Sequence, residues 1–429
     1  MLAMSFGLDD MKAAYRMIPV LQAWFTVFAV WNAERDRVEF FYMPGHNFGF
    51  RSAVLNFNAY AKLVATFARA FLAVMCDQYF DDFMIVDVAS AGRSAQHALA
   101  ASLSLIGGQR HEPSKRKHMG GVHVGLGIQV DVSMAHTKLM VSASPAPGRV
   151  ESVLQSLRLA KDANYLSPDD AASVHGKLGF IFSSAYYRFG RAALQPLQQR
   201  QHYDLSFEFT PALCEALDFL AVVLPNLPPL EMRLVAEKEP PLVVYTDAMF
   251  EWTMGSRPWV PVLRIGFVVF DPVTGHVFYS CYQLPLWYFT EVFAPDLRTY
   301  IAQGEAVGAL APLLSMPQVF KGRSVIQFQD NTWALSALIH GYASRPDMGR
   351  VVNAFHVAHF TLRARIWLEW VPSAANIADL PSRFMIDALR ARLPQVVYVP
   401  TILPGVEQWR GSLAAMASSM ISYISSVCD

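Results

Sequence analysis

The run Cys76-Asp77-Gln78-Tyr79-Phe80-Asp81-Asp82-Phe83-Met84-Ile85-Val86-Asp87 constrains this chain more than any other. Two adjacent carboxylates stand between Tyr79-Phe80 and the apolar stretch Phe83 to Val86. An unpaired charge is costly to desolvate, so carboxylates in apolar surroundings need cations or hydrogen-bond donors. The pattern predicts strand, tight turn, strand, with the acids at the turn. There they can hold a divalent metal, or simply form the turn, a role aspartate often takes. The pair alone does not choose between these roles. The rest of the chain carries the decision.

The chain has 429 residues, room for two or three domains. At 53% apolar and 16% charged it buries sizeable cores, which excludes a disordered chain. Lys+Arg and Asp+Glu balance at 35 each, which argues against a uniformly basic nucleic-acid binder. Local basic patches facing an acidic site remain open. Cys76, Cys214, Cys281 and Cys428 are scattered without a Cys-x-x-Cys pair. They predict neither a disulfide framework nor a zinc cage, and fit a reducing intracellular compartment, cytoplasm or nucleus. Met1 to Asp10 lacks the basic start and clean apolar run of a signal peptide. Val54 to Met75 is interrupted by Asn56, Asn58, Lys62 and Arg69, which predicts a buried helix and no membrane partner. Ser412 to Val427 predicts a docked helix or a frayed end. No repeat of solenoid period is present.

In the first region, Leu8 to Val20 predicts a strand end and then a helical turn holding Ala14 and Tyr15. Asp9 and Asp10 both compete for a functional carboxylate there, against an ordinary N-cap. Ala23 to Val30 and Val38 to Met43 predict a hairpin. Val54, Phe57, Ala61, Val64, Phe67, Phe71 and Val74 recur in steps of three and four and predict one buried helical face. Ala91 to Leu105 predicts a further helix with Ser90 as N-cap. Arg110, Lys115, Arg116 and Lys117 make a basic loop, either solvated or in contact with phosphate. Gly120 to Val132 is Gly-rich and strand-like, without the strand–turn–helix setting of a dinucleotide loop.

In the middle region, Pro147 to Asp162 and Ser167 to Leu178 predict helices, the second opened by Ser167-Pro168-Asp169-Asp170. Arg188, Arg191 and Arg200 either follow a duplex backbone or are ordinary surface arginines. A proline cluster from Pro225 to Pro241 marks a boundary. Beyond it, Leu242 to Ala248 predicts a strand ending at Asp247, and a helix from Ala302 carries Glu305. Ser324 to Asn331 predicts a strand ending at Asp330, and Asp379 stands at a helix start. Two acids at strand ends and two on helices make a set able to hold two Mg²⁺ ions, which take oxygen ligands. Trp252, Trp259, Tyr282, Trp287, Tyr288, Phe289 and Phe293 crowd the span between the first two acids, which reads as an inserted loop. Its rings either pack or stack on substrate. His356 and His359 mimic a zinc pair but have no further ligand nearby, so they read as one helix face.

Five motifs occur in the order found in reverse transcriptases. Asp10-Met11-Lys12-Ala13-Ala14-Tyr15 resembles the first catalytic motif, and Asn47-Phe48-Gly49-Phe50-Arg51-Ser52-Ala53 resembles Pro-Phe-Gly-Leu-Lys-Ser-Ala. Tyr79-Phe80-Asp81-Asp82 resembles the Tyr-x-Asp-Asp box. Pro113-Ser114-Lys115 and Leu126-Gly127-Ile128 resemble the later palm motifs. The variety is closest to retrotransposons of the DIRS-like type. The third region, with Asp247, Glu305, Asp330 and Asp379, resembles ribonuclease H.

The resemblance implies an α+β palm, part of a right-hand polymerase, followed by an α/β ribonuclease H-like domain. The expected boundaries are palm 1–135, thumb and connection 136–235, ribonuclease H-like domain 236–385 and tail 386–429. It implies RNA-directed DNA polymerisation and cleavage of RNA in RNA–DNA hybrids, each by two-metal phosphoryl transfer with Mg²⁺, or Mn²⁺ in its stead. Asp10 and Asp81 would bridge metals with Asp82 in support, and the register favours Asp10 over Asp9. Tyr15 would exclude a ribose 2′-hydroxyl. Phe48 and Arg51 would line the nucleotide and template side, and Lys115 would protonate pyrophosphate. Asp247, Glu305, Asp330 and Asp379 would hold the second metal pair. The partners implied are an RNA template, a DNA primer, the hybrid and deoxynucleoside triphosphates.

The sequence departs from the family pattern in four places. The first motif starts ten residues from Met1, so the chain is expected to lack the family's fingers, as a truncated element would. Asn47 stands where proline is usual, and Gly125 where an aromatic is usual. No histidine occurs in Pro372-Ser373-Ala374-Ala375, where many ribonucleases H carry one. Two alternatives therefore stay open: a relic that binds nucleic acid without catalysis, and ribonuclease H as the sole activity.

Overall fold

The computed structural model describes all residues except 1, 48, 109, 185–189, 205–206, 254–259, 296 and 429, and describes Phe25 through its backbone alone. The chain forms two compact units of mixed α/β structure. Unit 1 is Met1–Ala143 with Glu231–Val235, and unit 2 is Ser144–Leu230 with Ala236–Asp429. Residues 144–230 of the expected middle region, and the whole tail, thus fall within the same body as the third region, while 136–143 and 231–235 belong to unit 1.

In unit 1 the strands are β1 (Met4–Asp10), β2 (Val27–Asn32), β3 (Arg37–Tyr42), β4 (Met75–Tyr79) and β5 (Asp82–Val88). They continue with β6 (Lys117–Gly120), β7 (Val122–Gly125), β8 (Ile128–Asp131), β9 (Met140–Pro145) and β10 (Leu230–Arg233). One sheet has the order β4-β5-β1-β6, a second β10-β9-β8-β7, and β2-β3 forms the expected hairpin. Helices α1 (Arg51–Leu72) and α2 (Ser94–Gly107) bury Phe57, Ala61, Val64, Leu99 and Leu103 with Phe83 and Ile85. On the alternate positions Phe6 and Leu8 pack with Val132 in a separate cluster. The sheet therefore has apolar packing on both faces, Phe83 and Ile85 of β5 on one and Phe6 and Leu8 of β1 on the other.

Two sequence expectations need correction. The buried face of α1 runs through Ala53, Phe57, Ala61, Val64, Ala65 and Ala68, whereas Val54 and Phe71 are exposed. Small alanines let the helix sit close, and that rotates the bulkier end residues outward. The N-cap of α2 is Arg93, because Ser90 is taken up in a preceding 3-10 turn, Ala89–Ala91.

Unit 2 opens with α3 (Arg149–Asp162), α4 (Pro168–Ser183), α5 (Arg191–His202) and α6 (Pro211–Val223). The Ser167 hydroxyl caps α4 by accepting from the Asp170 N–H, as the sequence predicts. Six strands follow: β11 (Leu242–Trp252), β12 (Pro261–Phe270), β13 (Val277–Gln283), β14 (Ser324–Gln329), β15 (Arg365–Trp370) and β16 (Val396–Tyr398). Their order is β15-β14-β11-β12-β13-β16. β11, β12 and β13 pair antiparallel, whereas β14 and β15 join in parallel. The remaining helices are α7 (Ile301–Ser315), α8 (Pro317–Phe320), α9 (Thr332–His340), α10 (Pro346–Thr361), α11 (Asp379–Ser382), α12 (Ile386–Arg392), α13 (Val406–Arg410) and α14 (Leu413–Cys428).

Asp247 lies inside β11 rather than at its end. The parallel partner β14 stops pairing at Tyr245, while the antiparallel partner β12 continues to Trp252. Tyr288, Phe289, Phe293 and Tyr300 belong to the main core of unit 2, so those rings pack. Trp259 lies outside the described residues. α14 buries Met416, Ala417, Met420 and Ile424, and its last carbonyls accept bonds from Gln318 and Lys321. Among the described residues no helix is long and apolar enough to cross a membrane.

Two glycines fix the approach of the helices that carry acids. A Cβ on Gly304 of α7 would stand 2.5 Å from Leu263 Cδ1 of β12. A Cβ on Gly266 of β12 would stand 2.4 Å from the Ser382 backbone nitrogen of α11. Backbone cannot yield as a side-chain tip does. Gly266→Ala is therefore expected to destabilise unit 2 by roughly 1–3 kcal/mol or more, read as a lowered denaturation midpoint.

Candidate active sites

In unit 1, strand alternation separates the two candidate aspartates. Asp9 opposes Phe83 and turns to the helix side, whereas Asp10 opposes Asp82. Asp9 is buried and bound by Arg116 through two bonds, Nε–Oδ1 at 2.5 Å and Nη2–Oδ2 at 3.2 Å. His111 Nε2 lies 3.8 Å from Asp9 Oδ2. Burial lowers the pKa of His111, with the Asp9 charge opposing. Asp9 is thus a structural anchor that ties the basic loop to β1. Asp10 points the other way and accepts a bond from Lys115 Nζ at 3.0 Å.

Asp81 sits in the two-residue turn between β4 and β5, after Phe80 at φ 54°. A positive φ is costly for an aromatic residue, and such strain persists where surrounding structure enforces it. The Asp81 carbonyl accepts from Met11 N–H at 2.9 Å, which ties the turn to the end of β1. Burial raises the pKa of Asp82, and the charges of Asp81 and then Asp10 add to the rise. Tyr15 follows on a 3-10 turn, its ring 4.6 Å from that of Phe57. Burial raises its pKa, and the Asp81 charge contributes. The structure therefore groups Asp10, Asp81, Asp82, Lys115 and Tyr15. Arg51 opens α1 on the surface and forms no ion pair with these acids among the described residues. Phe48 lies outside the described residues, as does Arg188.

In unit 2, Asp247, Glu305 and Asp330 offer carboxylate oxygens that all lie within 4.8 Å of one another. Among the described residues this is the one group of three acidic, cysteine or histidine ligands so arranged. Asp247 comes from the middle of β11, Glu305 from the first turns of α7, and Asp330 from the residue after β14. Asn331 then caps α9 by accepting from the N–H groups of Trp333 and Ala334. Burial pushes Asp247 up to about 7, against the bond from Ser382 and with help from the charges of Asp330 and Asp379. Burial also raises Glu305 well above the usual carboxylate range, followed by the charges of Asp247 and Asp330.

Asp379 opens α11 but is not one of that trio. Its carboxylate is bound by Arg383 Nε at 2.7 Å, and its charge still reaches Asp247. No Lys, Arg or His forms an ion pair with any of the trio among the described residues. Three hard oxygen donors with no basic group in direct ion pair fit a divalent cation such as Mg²⁺ or Mn²⁺.

Several supporting residues escaped notice in the sequence. Ser382 Oγ donates to Asp247 Oδ2 at 2.5 Å, and Asn376 Nδ2 donates to Asp247 Oδ1 at 3.4 Å and to Thr246 O at 3.0 Å. Trp370 Nε1 donates to the Asp330 carbonyl at 3.1 Å. Ser382 and Asn376 lie in the same run as Asp379, and that proximity was the available signal. His356 and His359 are buried and bond to the carbonyls of Leu338 and Ala364, each at 3.0 Å. Burial lowers them to about 4 and about 3. They fasten helix ends, and no cluster of three metal-ligating side chains includes them among the described residues.

No family model matches the chain, and no curated protein matches it. Solved structures give partial likenesses. One is a foamy viral protease–reverse transcriptase in complex with double-stranded DNA, 13% identical at a TM-score of 0.43, covering 87% of this chain and 58% of that one. Another is the foamy viral protease–reverse transcriptase with RNA/DNA hybrid, 13% identical at 0.43, covering 86% and 44%. The N-terminal ribonuclease H domain of a Mycobacterium tuberculosis protein, fused to maltose-binding protein, is 20% identical at 0.26, covering 35% of this chain and 97% of that one. The chain thus spans about half the length of the first two.

The raised pKa of Asp247 makes a signed prediction. Its folded-state value, about 7, exceeds the ordinary 3.8, so stability falls as pH rises between the two. In EDTA, Asp247→Asn is therefore expected to raise the Tm of unit 2 by a few degrees at pH 8. The gain should shrink toward pH 5, where the wild-type carboxyl is already neutral. Thermal scans across pH check this. In unit 1, Arg116→Met strands the buried Asp9 charge and is expected to cost roughly 3–5 kcal/mol in denaturant unfolding.

Proposed function

We propose that unit 2 cleaves the RNA strand of RNA–DNA hybrids and that unit 1 is the palm of an RNA-directed DNA polymerase, both from a retrotransposon of the DIRS-like type. One observation carries the reading: three acids from three separate elements meet with ligand oxygens within 4.8 Å. The order of the five motifs supports the polymerase half. So does the grouping of Asp10 with Asp82 on one face, beside the Asp81 turn. The expected boundaries are retained as a proposal for the functional regions: palm 1–135, thumb and connection 136–235, ribonuclease H-like 236–385 and tail 386–429.

Asp247, Glu305 and Asp330 would hold the cations in unit 2, with Asp379 at the rim. In unit 1 Asp10 and Asp81 would hold them, with Asp82 in support. When bound, Mg²⁺ or Mn²⁺ supplies an activated oxygen nucleophile and charge compensation at the departing oxygen. The chain's own residues orient the reactants. Ser382 and Asn376 fix the Asp247 carboxylate, and Trp370 fixes the Asp330 backbone. Lys115 has its ammonium 3.0 Å from Asp10, and would serve there as the proton donor to pyrophosphate. Tyr15 stands near enough to feel the Asp81 charge and would border the deoxyribose. An RNA template, a DNA primer, the hybrid and deoxynucleoside triphosphates are the proposed partners.

A second reading, ribonuclease activity alone, is favoured by a specific contrast. Among the described residues only the unit 2 trio gathers three ligands so closely, while Asp10 is engaged by Lys115. Separate assays of primer extension and hybrid cleavage in Mg²⁺ divide the readings. Asp330→Asn is expected to lower hybrid cleavage at least a thousandfold with the fold intact by circular dichroism. Unchanged cleavage would refute the assignment. Asp81→Asn is expected to abolish extension and spare cleavage. Extension that survives it would remove the palm reading.

A further inference from the structure

β14 reads Ser324-Val325-Ile326-Gln327-Phe328-Gln329, and its buried positions alternate as Val325, Gln327 and Gln329. Two glutamines thus occupy core positions of a central strand, each fully buried. A buried carboxamide costs free energy unless its bonds are made, so each needs a reason. Both reach the same helix, α7, one turn apart. Gln327 Nε2 donates to the Ala309 carbonyl at 3.1 Å, its one bond among the described residues. Gln329 Nε2 donates twice, to the Glu305 carbonyl at 2.8 Å and to Glu305 Oε2 at 3.2 Å.

One side chain therefore grips both the main chain and the carboxylate of Glu305, from the residue directly before Asp330. Only the Nε2 end of the amide is bonded among the described residues. In this orientation Nε2 serves both Glu305 oxygens, whereas the opposite one would set Oε1 against the Glu305 carbonyl, an acceptor that carries no proton. Glu305 is also restrained by Gly304, which seats α7 against Leu263. Only Gln329, however, touches the ligand oxygens themselves among the buried amides of β14.

We infer that Gln329 is a positioning residue for the cation site, setting the Glu305 carboxylate at the distance and angle that Asp247 and Asp330 require. Gln327 is its structural counterpart, tying α7 to β14 without touching a ligand. The inference rests on the metal-dependent nuclease reading of unit 2. Loss of a residue that orients a metal ligand typically weakens metal binding or activity 10–100-fold.

The test uses the full chain carrying Asp81→Asn, to reduce binding in unit 1. It compares Gln329→Met with Gln327→Met, which remove the same donors from the same strand. Mn²⁺ binding by calorimetry, hybrid cleavage against Mg²⁺ concentration, and Tm are measured for each. Both variants are expected to lower Tm alike. Gln329→Met alone should weaken Mn²⁺ binding at least tenfold and shift the Mg²⁺ half-saturation of cleavage upward by a similar factor. Gln329→Asn, which keeps an amide but withdraws it by one methylene, should behave the same way and serves if the methionine variant does not fold. Equal Mn²⁺ binding in the Gln327 and Gln329 variants would overturn the inference while leaving the nuclease reading intact. A parent chain that neither binds Mn²⁺ nor cleaves hybrid would overturn both.

Discussion

Mutual repulsion among Asp247, Glu305 and Asp330 is the constraint on which the rest of unit 2 depends. Two like charges 4 Å apart oppose each other by about 4 kcal/mol at an effective dielectric constant of 20. Burial is the larger cause of the raised pKa values of Asp247 and Glu305, and the repulsion adds to it. Such a cluster persists only if the surrounding fold leaves the side chains no alternative. The fold achieves this through close approach. Gly304 and Gly266 let α7 and α11 sit against β12, and the donors Ser382, Asn376 and Gln329 then hold the oxygens. The large apolar core shared by α6, α7, α10 and α14 stabilises the unit against that electrostatic strain.

Unit 1 handles neighbouring acids differently. Alternation along β1 sends Asp9 inward to a bidentate partner, Arg116, and Asp10 outward toward Asp82. The same basic loop supplies both Arg116 and Lys115, so the inner pair anchors the segment from which the outer lysine reaches Asp10. A two-residue sequence, Asp9-Asp10, thus divides into a fully buried structural acid and a half-buried one on the opposite face through strand geometry alone.

Much of this was legible from the sequence because period and punctuation are local. The hairpin carrying Asp81 and Asp82, the Ser167 cap and the helix bearing Glu305 follow from apolar spacing and turn residues. The roles of buried polar residues were not legible. Gln327 and Gln329 sit at alternating positions that read as strand, yet nothing local says that their partners lie on a helix some 20 residues earlier. The buried face of α1 departs from its apolar spacing for a related reason. Phe71 and Val54 are apolar and in phase, but the closely packed alanines decide which face turns inward. The division into two units also depends on long-range packing, since Glu231–Val235 returns to the first unit after a long excursion.

The account stands on divalent cations occupying the space between three carboxylates. Anomalous diffraction from crystals soaked in Mn²⁺ addresses that most directly. The expected result is a manganese peak about 2.0–2.4 Å from oxygens of Asp247, Glu305 and Asp330. A map with manganese bound elsewhere on the chain, and none among these three residues, would contradict it.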